Sequence, residues 1–169
     1  MQDGDLKGFN TKIQNVDNKY SWINEMIEAR QVLVLEYMNL LNLPLSKNHS
    51  ESSRCYPSYE QISAFCDILV DYISHGHFDL YPKILELIEN ATGRSLSIVH
   101  RAMPKIEQTT EFLLRFSDKY AEDLDEGKLL DLSKDLEQVG KCLELRFKSE
   151  DRLIIGLRLV HTIVASNTD

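Results

Sequence analysis

The chain has 169 residues, among them seven glycines and four prolines, and a formal net charge of −8. This length favours a single domain with a substantial core, and the few glycines and prolines favour helices over a turn-rich β architecture. The negative charge argues against direct nucleic-acid binding, which requires clustered lysines and arginines, and no apolar run approaches the roughly 18 residues of a membrane span.

Residues 1–16 predict a flexible N-terminal tail. They are polar and lack the apolar segment of a signal peptide. The three cysteines, Cys55, Cys66 and Cys142, are widely spaced and form no C-x-x-C pair, which favours reduced thiols packed as small hydrophobic groups. Together these features predict a cytoplasmic protein.

A first long helix is predicted from a cap at Asp17 or Asn18 to about Leu43. Its apolar residues recur at intervals of three and four, as on the buried face of an amphipathic helix. They are Ile23, Met26, Ile27, Leu33, Val34, Tyr37 and Leu41. Pro44 ends the helix, and the polar, serine-rich residues 45–57 predict a loop.

A capping-box pattern opens the second helix, because Ser58 is followed three residues later by Gln61. This helix is predicted to reach about Ser74 and to pause at Gly76. A short extra helix is expected over roughly 78–90.

The outward face of the second helix carries residues that are unusual for a solvent-exposed surface. At about 100° per residue, Asp71 points away from the core, and Ser74 and Phe78 lie roughly 20–60° from it. An aromatic ring beside a carboxylate on an outward face is typical of a binding surface. A break at Gly76 would instead turn Phe78 inward as a core residue, and the sequence leaves both arrangements open.

Two more long helices complete the pattern. Residues 95–123 follow a break at Thr92–Gly93, and Pro104 either kinks this helix or marks its first turn. Beyond Gly127, the last helix is predicted over about 128–165.

The fold class that follows is all-α. Four long amphipathic helices with short connections predict an antiparallel four-helix bundle, with a short extra helix after the second. We expect one helical-bundle domain over residues 17–165 and a C-terminal tail over residues 166–169.

Charged residues interrupt two of the apolar stripes. In the last helix the three-four rhythm falls on Arg146 and Glu150, and in the first helix Arg30 lies about 20° from the centre of the stripe. Buried charges are costly unless they are paired and hydrogen-bonded. One interpretation is a salt-bridge network that joins Arg30 to Glu144 or Glu150 and fixes helix register. The other is a polar cleft that receives a partner, and the two can coexist.

Patterns typical of catalysis are missing from the sequence. None of the five histidines has a glutamate three residues before it, as di-iron bundles require, and the H-E-x-x-H zinc pattern and glycine-rich phosphate loops are absent. His75 and His77 lack an adjacent third ligand. We therefore expect no enzyme, no cofactor and no metal site. One alternative class is the histidine phosphotransfer domain, which His100-Arg101-Ala102 approximates.

Two distant segments carry a family resemblance. Residues 69–81 contain the pattern D-Y-x-S-x-G-H-F-x-x-Y, and residues 144–154 read E-x-R-F-x-x-E-D-x-L-I. Both patterns resemble the Rsd/AlgQ family of bacterial anti-sigma regulators, and the likeness runs from about Trp22 to Val160. Arg30, with the residues that follow it to Asn39, adds weaker support.

The sequence departs from the family pattern at three positions. The family's first-helix tryptophan falls at Met26, with Trp22 one turn earlier. His75 stands where alanine is usual, and Pro82 stands where a polar residue is expected. These departures concern partner affinity more than fold.

The resemblance implies a partner-binding face and a polar cleft or its support. On the face, Asp71 would pair with a basic residue of the partner, Ser74 would add a hydrogen bond, and Phe78 would be the apolar anchor. The residues implied for the face are Asp71, Tyr72, Ser74, His77, Phe78 and Tyr81. Those implied for the cleft or its support are Arg30, Glu144, Arg146 and Glu150, with Phe147 and Leu153 as packing residues.

The function that the resemblance implies is that of an anti-sigma factor. Such a protein binds region four of the primary sigma factor, the C-terminal helix-turn-helix that recognises the promoter −35 element, and limits its use by RNA polymerase. An acidic bundle suits a basic DNA-binding surface of this kind. The alternative is a signalling bundle that binds a phosphotransfer-system carrier protein, or a small molecule in the polar cleft.

Overall fold

The regular structure of the chain is helical throughout the part that a computed structural model describes, residues 20–42, 56–89 and 93–166. The predicted all-α fold is therefore confirmed for these ranges. The elements are α1 (Ser21–Asn42), α2 (Tyr59–His75), a π-helical turn (Gly76–Leu80), α3 (Tyr81–Glu89), α4 (Gly93–Tyr120) and α5 (Glu126–Ser166).

The predicted helix ends agree with the structure to within a few residues. Helix α1 begins at Ser21, while the suggested caps Asp17 and Asn18 lie outside the described residues, as do residues 43–55 and the N-terminal tail. Helix α5 includes Ser166, the first residue assigned to the C-terminal tail. The single domain over residues 17–165 stays a prediction.

The capping box before α2 is confirmed. The Gln61 amide donates to Ser58 Oγ at 3.3 Å, and the Ser58 amide donates to Gln61 Oε1 at 2.8 Å. These two bonds satisfy donors that the first turn of a helix otherwise leaves unpaired.

The predicted pause at Gly76 is wrong, because the chain continues from α2 into α3 through the π-helical turn. The Tyr81 amide donates to the Gly76 carbonyl, five residues earlier, whereas an α-helix would use the carbonyl four residues earlier. Gly76 itself has an ordinary helical φ of −56° and ψ of −50°. The turn therefore widens the helix by one residue without breaking it.

Pro104 lies inside α4, which begins eleven residues before it, so the suggestion that this proline starts the helix is wrong. Residues 121–125 then connect α4 to α5, whose first turn contains Gly127. Contacts between the two helices pair residues in opposite order, Lys119 with Asp135 and Thr110 with Arg146.

The buried face of α1 is rotated from the predicted stripe. Met26 and Leu33 are buried as expected, but Ile27, Val34 and Leu41 are 37–40% exposed. Ile27 and Val34 lie about 80–100° around the helix from Met26, at the margin of the face that packs inward. The predicted stripe is therefore too wide on that side of the helix.

The core divides into two clusters of buried apolar side chains. One includes Leu33, Phe65 and Leu143, and the other includes Met26, Ile84 and Leu153. Arg146 and Glu150 lie on α5 between Leu143 and Leu153, so the charged residues occupy the boundary between the two clusters. Among the described cysteines, Cys66 and Cys142 are free and buried. Burial raises the pKa of the Cys66 thiol to about 11, which favours the neutral form.

Candidate functional site

A buried ion pair on α5 forms the centre of the candidate site. Arg146 is fully buried and Glu150 is 2% exposed. One helical turn separates them, and Arg146 Nε donates to Glu150 Oε1 at 3.1 Å. Such a pair persists in a core only where further hydrogen bonds satisfy both groups.

Two tyrosines from the helical segment 59–89 supply some of these bonds. Tyr72 Oη donates to Glu150 Oε2 at 2.5 Å, and Tyr81 Oη donates to Glu150 Oε1 at 2.6 Å. Tyr81 Oη also accepts a bond from Arg146 Nη2 at 2.8 Å. Burial, reinforced by the negative charge of Glu150, raises the pKa of both tyrosines well above the ordinary value. Both hydroxyls are therefore protonated donors at neutral pH.

Helix α4 supplies the hydrogen-bond acceptors for the remaining guanidinium nitrogen of Arg146, Nη1. Arg146 Nη1 donates to Thr110 Oγ1 at 2.8 Å and lies 3.5 Å from Thr109 Oγ1. Both threonine hydroxyls give their protons to the Ile106 carbonyl, at 2.7 and 2.9 Å. Their oxygens are consequently oriented as acceptors for the guanidinium.

Arg30 links α1 to the same carboxylate. Arg30 Nη2 lies 3.1 Å from Glu150 Oε2, Nη1 lies 2.8 Å from Asp151 Oδ1, and the guanidinium stacks 4.7 Å from the centre of the Phe147 ring. We name Arg30, Tyr72, Tyr81, Thr109, Thr110, Arg146, Glu150 and Asp151 the buried polar network. Its side chains come from all five α-helices and bond one another, with Asp151 at the exposed edge and the buried Arg30 Nε left without a hydrogen-bond partner. Arg146 and Glu150 at its centre are buried, so they line no open cleft.

Glu144 does not belong to this network, and its assignment to the cleft is wrong. It is exposed and pairs with Lys148 one turn later on α5. Glu150 lies six positions after Glu144, which places the two side chains about 120° apart around the helix. Arg30 therefore pairs with Glu150, the second of the two candidates that the sequence left open.

The outward face of α2 and of the π-helical turn is exposed to solvent and is not part of the buried polar network. Asp71 and His77 are exposed, Ser74 is half-buried, and Phe78 is 76% exposed, the most exposed large apolar side chain described. The inward alternative for Phe78 is therefore wrong. Because the helix is not broken at Gly76, the turn carries this ring outward.

Ring contacts connect the exposed face to the buried network. The His77 ring is edge-on to Phe78 at 5.9 Å and to Tyr81 at 6.2 Å between ring centres. Tyr72 packs in the same edge-to-face manner on Phe147, at 5.9 Å. Such pairs are favoured by the quadrupoles of the aromatic rings.

The described residues also bear on metal binding and on membrane insertion. Within residues 20–42, 56–89 and 93–166, no group of three His, Cys, Asp or Glu side chains could hold a metal ion. No helix in these ranges combines the length and apolar character needed to cross a membrane.

A model of the Rsd/AlgQ family, described as regulator of RNA polymerase sigma(70) subunit, matches residues 6–158. This match covers most of the chain. The protein belongs to the Rsd/AlgQ family.

Curated relatives agree with this membership of the Rsd/AlgQ family. A protein named regulator of sigma D from Enterobacter sp. (strain 638) is 29% identical over 157 residues, which cover 92% of this chain and 91% of the relative. Proteins of the same name from Yersinia pseudotuberculosis (strain IP 31758) and Yersinia enterocolitica are 27% identical over 143 residues. These matches cover 83% of this chain and 82–83% of the relatives.

The two Rsd/AlgQ motifs occupy different depths in the structure. From the first motif, Asp71 and Phe78 are exposed, but Tyr72 and Tyr81 are 6% and 2% exposed. The expectation that the two tyrosines flank Phe78 on the surface is therefore wrong, because their hydroxyls turn inward to Glu150. Leu153 is fully buried and Phe147 packs against the core, so both predicted packing roles are confirmed.

Three members of the network, Asp151, Thr109 and Thr110, are not among the site residues that the sequence predicts. Asp151 directly follows Glu150 in the second Rsd/AlgQ motif and could have been proposed from its position. Thr109 and Thr110 carry no distinguishing signal, because they belong to neither of the two motifs.

Proposed function

We propose that this protein binds region four of the primary sigma factor and limits its use by RNA polymerase. The observation that carries the proposal is the 76% exposure of Phe78 on the helical segment that also exposes Asp71. Family membership supports a sigma factor as the partner, because the family is described as a regulator of the sigma(70) subunit. Such a role places the protein in the cytoplasm with the polymerase.

The chemistry of this face suits a basic partner that has an apolar pocket. Phe78 offers a large ring at low entropic cost, as interface anchors do. Asp71 supplies a carboxylate for an arginine or lysine, and Ser74 lies between the two in sequence as a hydrogen-bonding group. Region four faces DNA phosphates and is basic, so a chain with net charge −8 would be steered towards it.

We further propose that the long helical segments form an antiparallel four-helix bundle. The opposite order of contacts between α4 and α5 supports this arrangement. Helices α1 and α5 also pair in opposite order, because Tyr37 Oη donates to the Leu136 carbonyl at 2.9 Å while Arg30 bonds Glu150. A second partner, a phosphotransfer-system carrier protein, stays a prediction.

The test is a calorimetric titration of region four from the host's primary sigma factor into the wild-type protein and Asp71→Asn. We expect the variant to raise the dissociation constant at least about fivefold, roughly 1 kcal/mol, with no change in thermal unfolding. Asp118→Asn is the matched control, because it removes the same charge from an exposed position on α4.

Each outcome of the titration has a definite meaning. Equal losses of affinity in both variants would show that only total charge matters and would refute the assignment of Asp71. A folded wild-type protein that does not bind region four would refute the proposed function.

A further inference from the structure

The π-helical turn is held to the buried polar network by one residue, Tyr81. Its backbone amide donates the π-type bond to the Gly76 carbonyl. Its side-chain hydroxyl bonds Glu150 at 2.6 Å and Arg146 at 2.8 Å. The same residue thus closes the turn with its main chain and fastens the turn to α5 with its side chain.

Gly76 allows this arrangement because it has no Cβ. A Cβ at this position would lie 2.9 Å from Tyr81 Oη and 3.0 Å from Cζ, closer than real Cβ atoms approach other groups. The Tyr81 hydroxyl therefore passes directly against the backbone of the first residue of the turn. An alanine would force the ring away from Glu150 or would change the turn.

The turn in its present form carries Phe78 outward. Phe78 is the third of its five residues, and the chain on either side is buried at Gly76 and Leu80. The His77 ring contacts both the buried Tyr81 ring and the exposed Phe78 ring. A continuous set of contacts runs from Arg146 and Glu150 through Tyr81 and His77 to Phe78.

We propose that Tyr81 is a positioning residue that holds the π-helical turn so that Phe78 meets the partner. The inference rests on the proposed function, since it assigns to the buried network a role in presenting the sigma-binding face. Turns of this type are rare and are frequent at functional sites. The family motif D-Y-x-S-x-G-H-F-x-x-Y thereby acquires a physical meaning, because the π-type bond that closes this turn joins its glycine to its last tyrosine.

The chain provides a matched pair of variants for the test. Tyr81→Phe and Tyr72→Phe each remove one buried hydroxyl from the same carboxylate, but the structure places only the Tyr81 hydroxyl against Gly76. Amide hydrogen exchange of residues 76–81 in the free protein measures the turn, and titration with region four of the host's primary sigma factor measures its consequence. Urea unfolding of both variants measures the loss of stability that they share.

We expect Tyr81→Phe to speed amide exchange in residues 76–81 and to raise the dissociation constant about tenfold, the equivalent of about 1.4 kcal/mol. Tyr72→Phe should leave both within about twofold of wild type. In a Phe78→Ala background, Tyr81→Phe should weaken binding no further, because it acts through Phe78. Should Tyr81→Phe fail to fold, Gly76→Ala tests the same contact from the other side, with the same expected result.

Three results would overturn the inference. The first is equal exchange and equal affinity in the two tyrosine variants, which would reduce both hydroxyls to structural groups. The second is wild-type binding by Tyr81→Phe or, where that variant does not fold, by Gly76→Ala. The third is additive losses from Tyr81→Phe and Phe78→Ala. Failure of the wild-type protein to bind region four would refute the proposed function separately, and the exchange data would still test whether Tyr81 holds the turn.

Discussion

Replacing Glu150 by glutamine should severely destabilise the fold, because this carboxylate is the acceptor on which the buried polar network depends. Its two oxygens accept bonds from Tyr72, Tyr81, Arg146 and Arg30. Glutamine keeps the shape but replaces one oxygen by an amino group. In either orientation of the amide, that group faces two donors, and two guanidinium groups lose their shared counter-charge.

The expected loss follows from the burial of the pair. Removing one partner of a buried ion pair typically costs about 3–5 kcal/mol. For a chain of this size each kcal/mol lowers the melting temperature by about 2–4 °C, so we expect a fall of roughly 6–20 °C. Urea unfolding followed by far-UV circular dichroism measures the free-energy change, provided that the slope with denaturant stays the same.

Glu144→Gln is the matched control. It makes the same chemical change in the same helix and the same motif, but Glu144 is 66% exposed and pairs with Lys148 at the surface. An exposed pair of this kind contributes little to stability, because water screens the two charges. The reasoning fails if Glu150→Gln stays within about 1 kcal/mol of wild type, or if Glu144→Gln costs as much.

Three further predictions concern binding, alkaline stability and helix packing. The affinity for region four should fall as NaCl rises from about 0.05 to about 0.5 M, because salt screens exposed charges; calorimetry giving a flat profile would contradict electrostatic steering. The raised pKa values of Tyr72 and Tyr81 mean that only the unfolded state ionises them near pH 10, so stability should fall as pH rises above about 10, and less in the double phenylalanine variant. Urea unfolding at pH 8 and pH 11 measures that difference. Gly140→Ala should destabilise the protein by about 1–3 kcal/mol, because the new Cβ would collide with the Tyr37 hydroxyl. Gly93→Ala, where nothing lies within 4 Å, should not, and equal losses of stability in urea would refute the packing argument.

The sequence predicts the helices and the buried charges well, because both follow from the 3.6-residue period of apolar residues in an amphipathic helix. Arg146 and Glu150 fall on the apolar stripe of α5, so their burial and pairing could be expected. The outward direction of Asp71 follows from the same geometry. Burial at the second tyrosine of the first motif, Tyr81, could not be foreseen, because the π-helical turn adds a residue that a 3.6-residue period does not contain.

The hydrogen-bond partners of Arg146 and the exposed side of α1 could not be predicted from the sequence, for different reasons. The partners of Arg146 on α4 depend on which helix packs against α5. Nothing in the sequence around Thr109 and Thr110 indicates that they face Arg146. The separation of Glu144 from Glu150, by contrast, follows from helix geometry alone. The predicted apolar stripe of α1 is wider than the buried face, because several apolar residues of this helix, such as Ile27, are exposed.

The origin of the buried polar network in all five α-helices bears on how the chain folds. A partly assembled form that lacks any one helix leaves a charge or hydroxyl of the network without its partner in a dry interior, or must keep the interior hydrated. Both alternatives are costly, so intermediates that contain only some of the helices are disfavoured. We therefore expect the chain to unfold in one cooperative step, with the two apolar clusters on either side of the network losing their structure together.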